Sequence, residues 1–491
     1  MNADHPTPSR ARPALLRNWL SLSGLVIATG SLFSFLLLFL LDTVAHFTNP
    51  YIGLLTYLVA PGFLLTGLTL AVVGALWYRR QLHAAAPVPA LQIDLSRPRD
   101  RRLLGAFIAA SLGFLLISAV GSYRTYQFTE SVQFCGQVCH TVMRPELVTY
   151  EHGPHARVPC SECHIGPGAT WFVRSKLSGT YQVYATLFDK FPRPIPTPVR
   201  SLRPAQETCN QCHWPRKFVG DLDRTYNHFL GDQTNPPFSV RLLLKVGGGD
   251  PTHGPVGGIH WHMSITNRVE YVATDEGRQK IPWVRLTDAL GVVTVFRAAG
   301  FANDLSRYTI RTMDCMDCHN RPAHRFVPPD AAVELALALR KLDPGLPYIK
   351  TNALFALTRP YKTGLEARDA IATFLAGRYP QGPSLRQAIP TVQQIYADNF
   401  FPAMKANWSV YPDNIGHKNW RGCFRCHDGR HKTEDGKRTI KGDDCNACHI
   451  ILAQGSGAEL LTLSAAGQQF KHPGGELDPG DQCADCHNGG P

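Results

Sequence analysis

The sequence predicts an α-helical membrane anchor of three spans joined to a loop-rich, mainly α-helical region that carries a small β insertion. Three observations predict it. Three long apolar stretches precede residue 121; all 14 cysteines fall into seven short pairs beyond it; and 37 prolines and 42 glycines in 491 residues leave little room for one large apolar core.

The apolar stretches, 19–41, 51–78 and 103–120, are each near the ~20 residues a helix needs to cross hydrocarbon. Arg10, Arg12 and Arg17 precede the first, and Arg79, Arg80, Arg97, Arg99, Arg101 and Arg102 separate the second from the third, whereas the link 42–50 holds no Lys or Arg. Positive charge collects on the cytoplasmic side of spanning helices, so the N-terminus and the 79–102 loop are expected in the cytoplasm and everything after Val120 on the periplasmic side of a bacterial inner membrane. A cleaved secretory signal competes for the first stretch, but the run is long for one and no small-x-small site follows it cleanly. Pro61-Gly62 inside the second stretch predicts a kink or a locally opened helix, either accommodated by neighbouring helices or lining a small-molecule site.

In every cysteine pair the second cysteine is followed directly by histidine. The pairs are Cys135/Cys139 before His140, Cys160/Cys163 before His164, Cys209/Cys212 before His213, Cys315/Cys318 before His319, Cys423/Cys426 before His427, Cys445/Cys448 before His449, and Cys483/Cys486 before His487. With 20 histidines in 491 residues, seven in succession by accident is on the order of 10⁻¹⁰. Two thiols three residues apart on a short helical turn reach the two vinyl groups on one edge of a porphyrin, and the next side chain points at the iron. Disulfides or zinc ribbons also use C-x-x-C pairs, but neither requires a histidine after each. The first motif has three residues between its cysteines and is read with the others. The sequence therefore specifies seven covalently attached c-type haems, one per motif.

An iron that only carries electrons needs a second axial ligand, most often histidine. Ten histidines beyond the membrane region lie outside the motifs. His155, His260, His262, His324, His417, His431 and His472 are the candidates for distal ligation, with His152, His228 and His253 as further options. His431, four residues past His427, is expected to serve another haem than its own motif's. Met143, three residues after His140, is a candidate axial ligand for the first haem against the plainer reading of a gap-filling methionine.

The region after the anchor (1–122) divides by pattern. Three motifs crowd into 123–219. The segment 220–326 holds short strand patterns at 240–246, 269–273, 281–285 and 292–297 together with the fourth motif. Helical periodicity at 330–342, 364–377 and 384–400 marks a spacer, 327–410, and three motifs fill 411–491. The formal charge of +12 does not indicate nucleic acid, because 14 propionates bring the loaded protein to roughly +5 oxidised and about −2 reduced.

The runs 123–130 (YRTYQFTE) and 134–143 (FCGQVCHTVM), His155 ahead of 160–166 (CSECHIG), and 171–176 (WFVRSK) resemble the NapC/NirT family of membrane-bound quinol dehydrogenase cytochromes. The likeness covers roughly 103–215. Members of that family usually have one anchor helix and four haems; three spans and seven motifs make the whole chain similar to the seven-haem, ImcH-like inner-membrane cytochromes of metal-reducing bacteria. The resemblance implies oxidation of a membrane quinol, menaquinol or ubiquinol, beside the first haem, with electrons passed to a periplasmic multihaem cytochrome. It also implies that Lys176 matches the family's quinol-site lysine, while Gln182 stands near where the family has a carboxylate. Glu146, Glu151, Asp42 or His46 are the substitutes for that proton acceptor. Two other classes compete: a terminal reductase of a small oxyanion, which needs an iron with an open position, and a non-enzymatic electron-transfer scaffold.

Overall fold

The computed structural model describes residues 16, 18–45, 59–83, 94–138, 140–166, 169–199, 202–214, 218–248, 257–264, 266–301, 304–476, 478 and 481–487. These form two compact units, one of Met1–Phe134 with Cys160–Tyr181, the other of Cys135–Pro159 with Gln182–Pro491.

The first unit is built on three long helices, α1 Trp19–Ala45, α2 Ala60–His83 and α3 Pro98–Thr129. Two of them, over Trp19–Leu36 and Ala60–Gln81, are long and apolar enough to cross a membrane. The third is a continuous helix of 32 residues, about 48 Å long at 1.5 Å per residue. α1 and α2 meet along small residues. Ser21, Ala28 and Ser31 are buried, and a Cβ added to Gly67 would stand 2.5 Å from the Ala28 backbone nitrogen, while one added to Gly74 would stand 2.5 Å from the Ser21 hydroxyl. Ser21 Oγ donates to the Ala71 carbonyl at 3.1 Å and Asn18 Nδ2 to the Gly74 carbonyl at 3.3 Å. In lipid, where apolar side chains gain nothing by leaving solvent, close backbone approach and such hydrogen bonds are what hold two helices together. At Pro61-Gly62 the α-helical geometry of α2, Ala60–His83, runs on directly from a π-helical residue at Val59, a local widening of the kind the proline predicts. The rest of the second stretch, 51–58, lies outside the described residues.

After α3, a π-helix at Phe134–Val138 leads into α4, His140–Glu151, followed by α5 Cys160–His164, α6 Ala169–Leu187 and α7 Ala205–Cys209. Strands β1 Leu222–Phe229 and β2 Pro237–Leu244 come next, then β3 Arg268–Val272, β4 Trp283–Thr287, β5 Val293–Arg297 and β6 Ile310–Thr312. The helices α8 Cys315–Cys318, α9 Pro329–Ala338, α10 Ile349–Thr358, α11 Gly364–Ala376 and α12 Pro383–Asn399 follow. A small hairpin of β7 Phe400–Phe401 and β8 Ala406–Asn407, strand β9 His449–Gly455 and the turn α13 Cys483–Cys486 complete the order.

The expected β insertion is present but does not stand alone. One sheet has the order β5-β4-β3-β6 and falls within 268–312, with Tyr271 and Val272 fully buried. The other is β1-β2-β9, in which β9, from the segment read as a separate C-terminal region, pairs antiparallel with β2. Lys432 also bridges to Arg297. The segments 220–326 and 411–491 are therefore woven into one unit.

The main apolar core lies in the helical spacer. α9 to α12 bury Val333, Leu337, Ile349, Leu357, Ile371, Leu375, Leu385 and Val392 almost completely. On α12 the buried positions Leu385, Ala388, Val392, Tyr396 and Asn399 recur at helical spacing and form one inward face. Thr363 caps α11, its hydroxyl accepting from the Glu366 N–H at 3.1 Å. A second cluster gathers Val142, Phe326, Phe401, Met404 and Trp408 around α4.

Candidate haem sites

The motif cysteines sit on tight turns. The N–H of the following histidine donates to the carbonyl of the first cysteine in four motifs: His213 to Cys209 at 2.8 Å, His319 to Cys315 at 2.8 Å, His427 to Cys423 at 3.0 Å and His487 to Cys483 at 2.7 Å. That i to i+4 closure draws both thiols and the imidazole onto a single turn. The first motif has one residue more, and the chain there is a π-helix, whose wider turn takes in an additional residue.

The expectation that both thiols of a motif share one short helical turn holds for Cys160 and Cys163, which lie with His164 on α5, Cys163 half-buried. This motif falls in the first unit, whereas the other six fall in the second. At Cys212 the two thiols share a turn that runs past the end of the helix. α7 ends at Cys209 with Asn210 as its C-cap, so Cys212 lies beyond the helix, exposed, in a turn closed by its own N–H on the Cys209 carbonyl at 3.1 Å. The reason is that the helix tightens to an i to i+3 bond as it ends. Cys135 is half-buried, and Cys445 and Cys486 are exposed.

Among the described residues no two cysteines are joined in a disulfide, and no three His, Cys, Asp or Glu side chains converge as a metal cage, Cys163 and Cys212 included. A thioether bond joins sulfur to a carbon on the porphyrin edge and asks each thiol for access rather than for partner ligands.

Five motif histidines each face a histidine from elsewhere in the chain. Ring centroids are 6.1 Å apart for His213 and His155, 6.2 Å for His319 and His260, 5.9 Å for His427 and His262, 6.2 Å for His449 and His417, and 6.0 Å for His487 and His472. A metal–imidazole bond is about 2 Å long and the ring centre lies about 1.2 Å beyond the nitrogen, so two imidazoles on opposite faces of one iron have centroids roughly 6 Å apart. The five separations match that requirement, each beside its own pair of thiols. The residues fit bis-histidine haems.

Further contacts orient the rings. Nδ1 of His155 is 2.9 Å from the Pro322 carbonyl, that of His260 is 3.1 Å from Val246, that of His262 is 2.9 Å from Ile259 and that of His427 is 3.2 Å from Lys441. A proton donated there leaves Nε2 as the lone-pair nitrogen, the tautomer a metal needs. Burial holds His260, His319, His417, His427, His449 and His487 below the usual imidazole range, which keeps them neutral. The buried Nδ1 atoms of His417 and His449 have no hydrogen-bond partner.

The motifs are also neighbours of one another. A hydrogen bond from the Cys209 thiol brings Cys315 down to about 7; Cys318, which burial pushes up to about 11, also feels Cys423; and Cys448, raised by burial, feels Cys423 in turn. Lys418, adjacent to His417, acts on both Cys483 and His487. Motifs three to six thus adjoin in chain order, and Lys418 reaches the seventh.

The other expected residues are placed as follows. His431 is not an axial ligand: its ring is buried, Nδ1 lies 2.8 Å from Asp428 Oδ1 and Nε2 lies 2.6 Å from the Ile281 carbonyl, so both nitrogens are taken. His228 is paired instead with buried Glu334 at 2.9 Å, and His152 is exposed with Nδ1 on the Val148 carbonyl. His324 is half-buried, Nδ1 lying 2.9 Å from the Glu146 carbonyl, and the Glu146 carboxylate is 3.4 Å away. Met143 packs against the cluster around Val142 and Phe326. Met143 lies one turn after His140 on α4. Gln182, on α6, is exposed, and Glu151 ends α4, also exposed. The side chains of Lys176, Asp42 and His140 lie outside the described residues, as do Cys139, His46 and His253 altogether.

Sequence comparison gives one further observation: the chain is 40% identical to the cytochrome c-type protein ImcH of Geobacter sulfurreducens over 97% of its own length and 96% of that protein's. The chain belongs to the ImcH family of c-type cytochromes. No family model and no solved structure matches it. For an ImcH-family cytochrome, covalent haem and electron transfer are the natural use of these thiol and imidazole sets, and the two apolar helices are in keeping with a membrane anchor.

Proposed function

We propose that this cytochrome carries seven haems, takes electrons from membrane quinol and delivers them to periplasmic multihaem cytochromes. The observation that carries the reading is the set of five facing histidine pairs at 5.9–6.2 Å. Haem, when bound, supplies a reversible one-electron centre. The chain's own residues do the rest: fourteen cysteines tether, Cys163 and Cys212 among them, seven motif histidines ligate, and His155, His260, His262, His417 and His472 close the opposite faces. His324 remains a candidate distal ligand, and Met143 a candidate at the first motif. Two imidazoles on one iron keep its geometry nearly unchanged between oxidation states and leave no position for a substrate, which favours transfer over the reduction of an oxyanion at these five centres.

Three helices, α1, α2 and α3, anchor the chain in the inner membrane in this reading, with the N-terminus cytoplasmic and the motifs periplasmic. Arg79 and Arg80 at the end of α2, and Arg99, Arg101 and Arg102 at the start of α3, support that orientation. Quinol, menaquinol or ubiquinol, is soluble only in lipid, so it meets the chain where α3 ends and the first motif begins. Lys176 binds the quinol oxygen there, and Glu146, Asp42, His46 or Gln182 accepts or relays its protons. Quinol-driven bleaching of ferric haem absorbance in membranes tests this directly. Lys176→Ala is expected to slow it, and an unchanged rate removes Lys176 from the site.

A further inference from the structure

Two residues at positions the haem motif leaves open tie the fourth motif to the fifth. Asp317 lies between Cys315 and Cys318, and Arg425 between Cys423 and Cys426. Both are buried, at 4% and 9% exposure. The Arg425 guanidinium donates to three carbonyls at once: Asp317 at 2.6 Å, Arg278 at 2.8 Å and Gly422 at 2.9 Å. Asn414 Nδ2 donates to the same Asp317 carbonyl at 3.0 Å, and its side-chain oxygen accepts from Gln279 at 3.1 Å. The Asp317 carboxylate is held in turn. It accepts from the Tyr271 hydroxyl, from Arg278 Nη1 at 3.1 Å and from the Asp314 N–H at 2.8 Å, the last closing a capping box on α8.

We propose that Asp317 and Arg425 form a clamp that fixes the mutual placement of the fourth and fifth haems, and so act as positioning residues for electron passage between them. The inference rests on reading both motifs as haem sites. A buried guanidinium is costly, and an apolar side chain of similar volume fills such a space at less expense. What a guanidinium adds is a rigid planar fork that fixes several acceptors in one geometry. On the opposite side of the two centres the chain makes a second tie. His260 and His262, two residues apart in one 3-10 turn, face His319 and His427 respectively. Each centre is thereby held from both sides, by the 259–263 turn and by the Arg425 fork.

The test uses the full-length protein in membranes, as wild type, Arg425→Gln, Arg425→Lys and Asp317→Asn. Haem count by mass spectrometry comes first: a wild type with fewer than seven haems defeats the underlying haem reading, not the clamp. With attachment intact, Arg425→Gln is expected to perturb the low-spin resonances of the fourth and fifth haems while leaving those of the third and seventh in place. It is also expected to split dithionite-free, donor-driven reduction into two phases, the second slowed several-fold, because electron tunnelling between two centres falls off exponentially with their separation. Arg425→Lys, which keeps the charge but loses the fork, is expected to retain all its haems without restoring the rate. Asp317→Asn retains a capping oxygen and is expected to show the smaller change of the same kind. Seven haems with unchanged resonances and single-phase reduction in Arg425→Gln overturn the proposal. So does full recovery of the rate in Arg425→Lys, which assigns the role to charge alone. If Arg425→Gln does not accumulate, Asp317→Asn carries the test by the same two readouts.

Discussion

The helical segment 329–399 and the motif-bearing chain around it are built on different principles. The first buries a set of aliphatic side chains, Val333, Leu337, Ile349, Leu357, Ile371 and Leu375 among them, to essentially zero exposure. The second buries its apolar side chains in smaller separate clusters, one around Tyr271 and Val284 and one around Phe326 and Trp408. Its cysteines are half-buried or exposed, its turns are short, and its histidines face one another across a gap the width of an iron with two bonds. One region is stabilised by its own sequence, since each fully buried aliphatic side chain contributes about 1.5–3 kcal/mol. The other is completed by a flat apolar cofactor and its metal bonds.

The largest test of that contrast is to withhold haem. In cells lacking the periplasmic attachment machinery, limited proteolysis is expected to cleave throughout 411–487 and 202–218 while a fragment close to 329–399 persists; mass spectrometry of the fragments reads the outcome. Equal resistance of both regions breaks the comparison. The converse change leaves haem in place and damages the helical core. Leu357→Ala or Leu375→Ala is expected to cost about 2–5 kcal/mol in denaturant unfolding, with the absorbance spectrum of the folded protein unchanged.

A third test uses charge. Burial alone raises the Glu334 carboxyl, but hydrogen bonding to His228 and the charges of Lys418 and Lys350 outweigh it and hold Glu334 down to about 2. A carboxylate whose folded value lies below its unfolded value of 4.5 stabilises the fold above that unfolded value. The contribution is lost as pH falls through the folded one. Stability is therefore expected to decline between about pH 4.5 and 2 by on the order of 3 kcal/mol, and Glu334→Gln is expected to flatten the decline. Acid titration followed by far-UV circular dichroism checks it. Because Lys418 joins Glu334 to the neighbourhood of His487, the same titration reports whether the two regions loosen together.

The same contrast governs what was legible beforehand. The motifs were legible because tethering requires a fixed covalent spacing; the local backbone was less so, since the helix that carries Cys209 stops short of Cys212. Helices α9, α11 and α12 were legible because a buried helix face repeats with the helical period. α10 was not, since Pro344, Pro347 and Pro360 around it look like turns although Ile349, Leu354 and Leu357 point inward. β1 was missed because six of its eight residues are exposed and carry no alternation. β9 was missed because it begins at a motif histidine, His449, and its partner β2 is distant in sequence. Distal histidines are harder still, because the ligand approaches through space. His155, His260, His262, His417 and His472 lie opposite motif histidines, whereas His431 satisfies both nitrogens within the protein and joins the fold instead. A signal was present for it: Asp428, three residues earlier, is at the right distance in sequence to hold its ring.

The smallest expected effect is spectroscopic, and it sharpens the comparison within the haem region. The paired imidazole planes differ in mutual angle: 7° for His260 and His319 and 24° for His417 and His449, but 82° for His262 and His427, 68° for His155 and His213 and 58° for His472 and His487. Parallel axial rings split the iron d orbitals strongly and give a rhombic low-spin resonance, whereas crossed rings leave two orbitals nearly degenerate and give a resonance with one very large g value. The oxidised protein is therefore expected to show both classes, the fourth and sixth haems in the first and the third, fifth and seventh in the second. Replacing His262 by alanine opens one axial position and is expected to remove one large-g signal and add one high-spin signal, with the rhombic pair retained. His431→Ala, by contrast, is expected to leave every resonance in place and to lower stability by about 1–3 kcal/mol for the lost buried hydrogen bonds. A high-spin signal in His431→Ala, or none in His262→Ala, reverses the assignment of these two side chains and with it the distinction between histidines that complete a cofactor site and one that belongs to the fold.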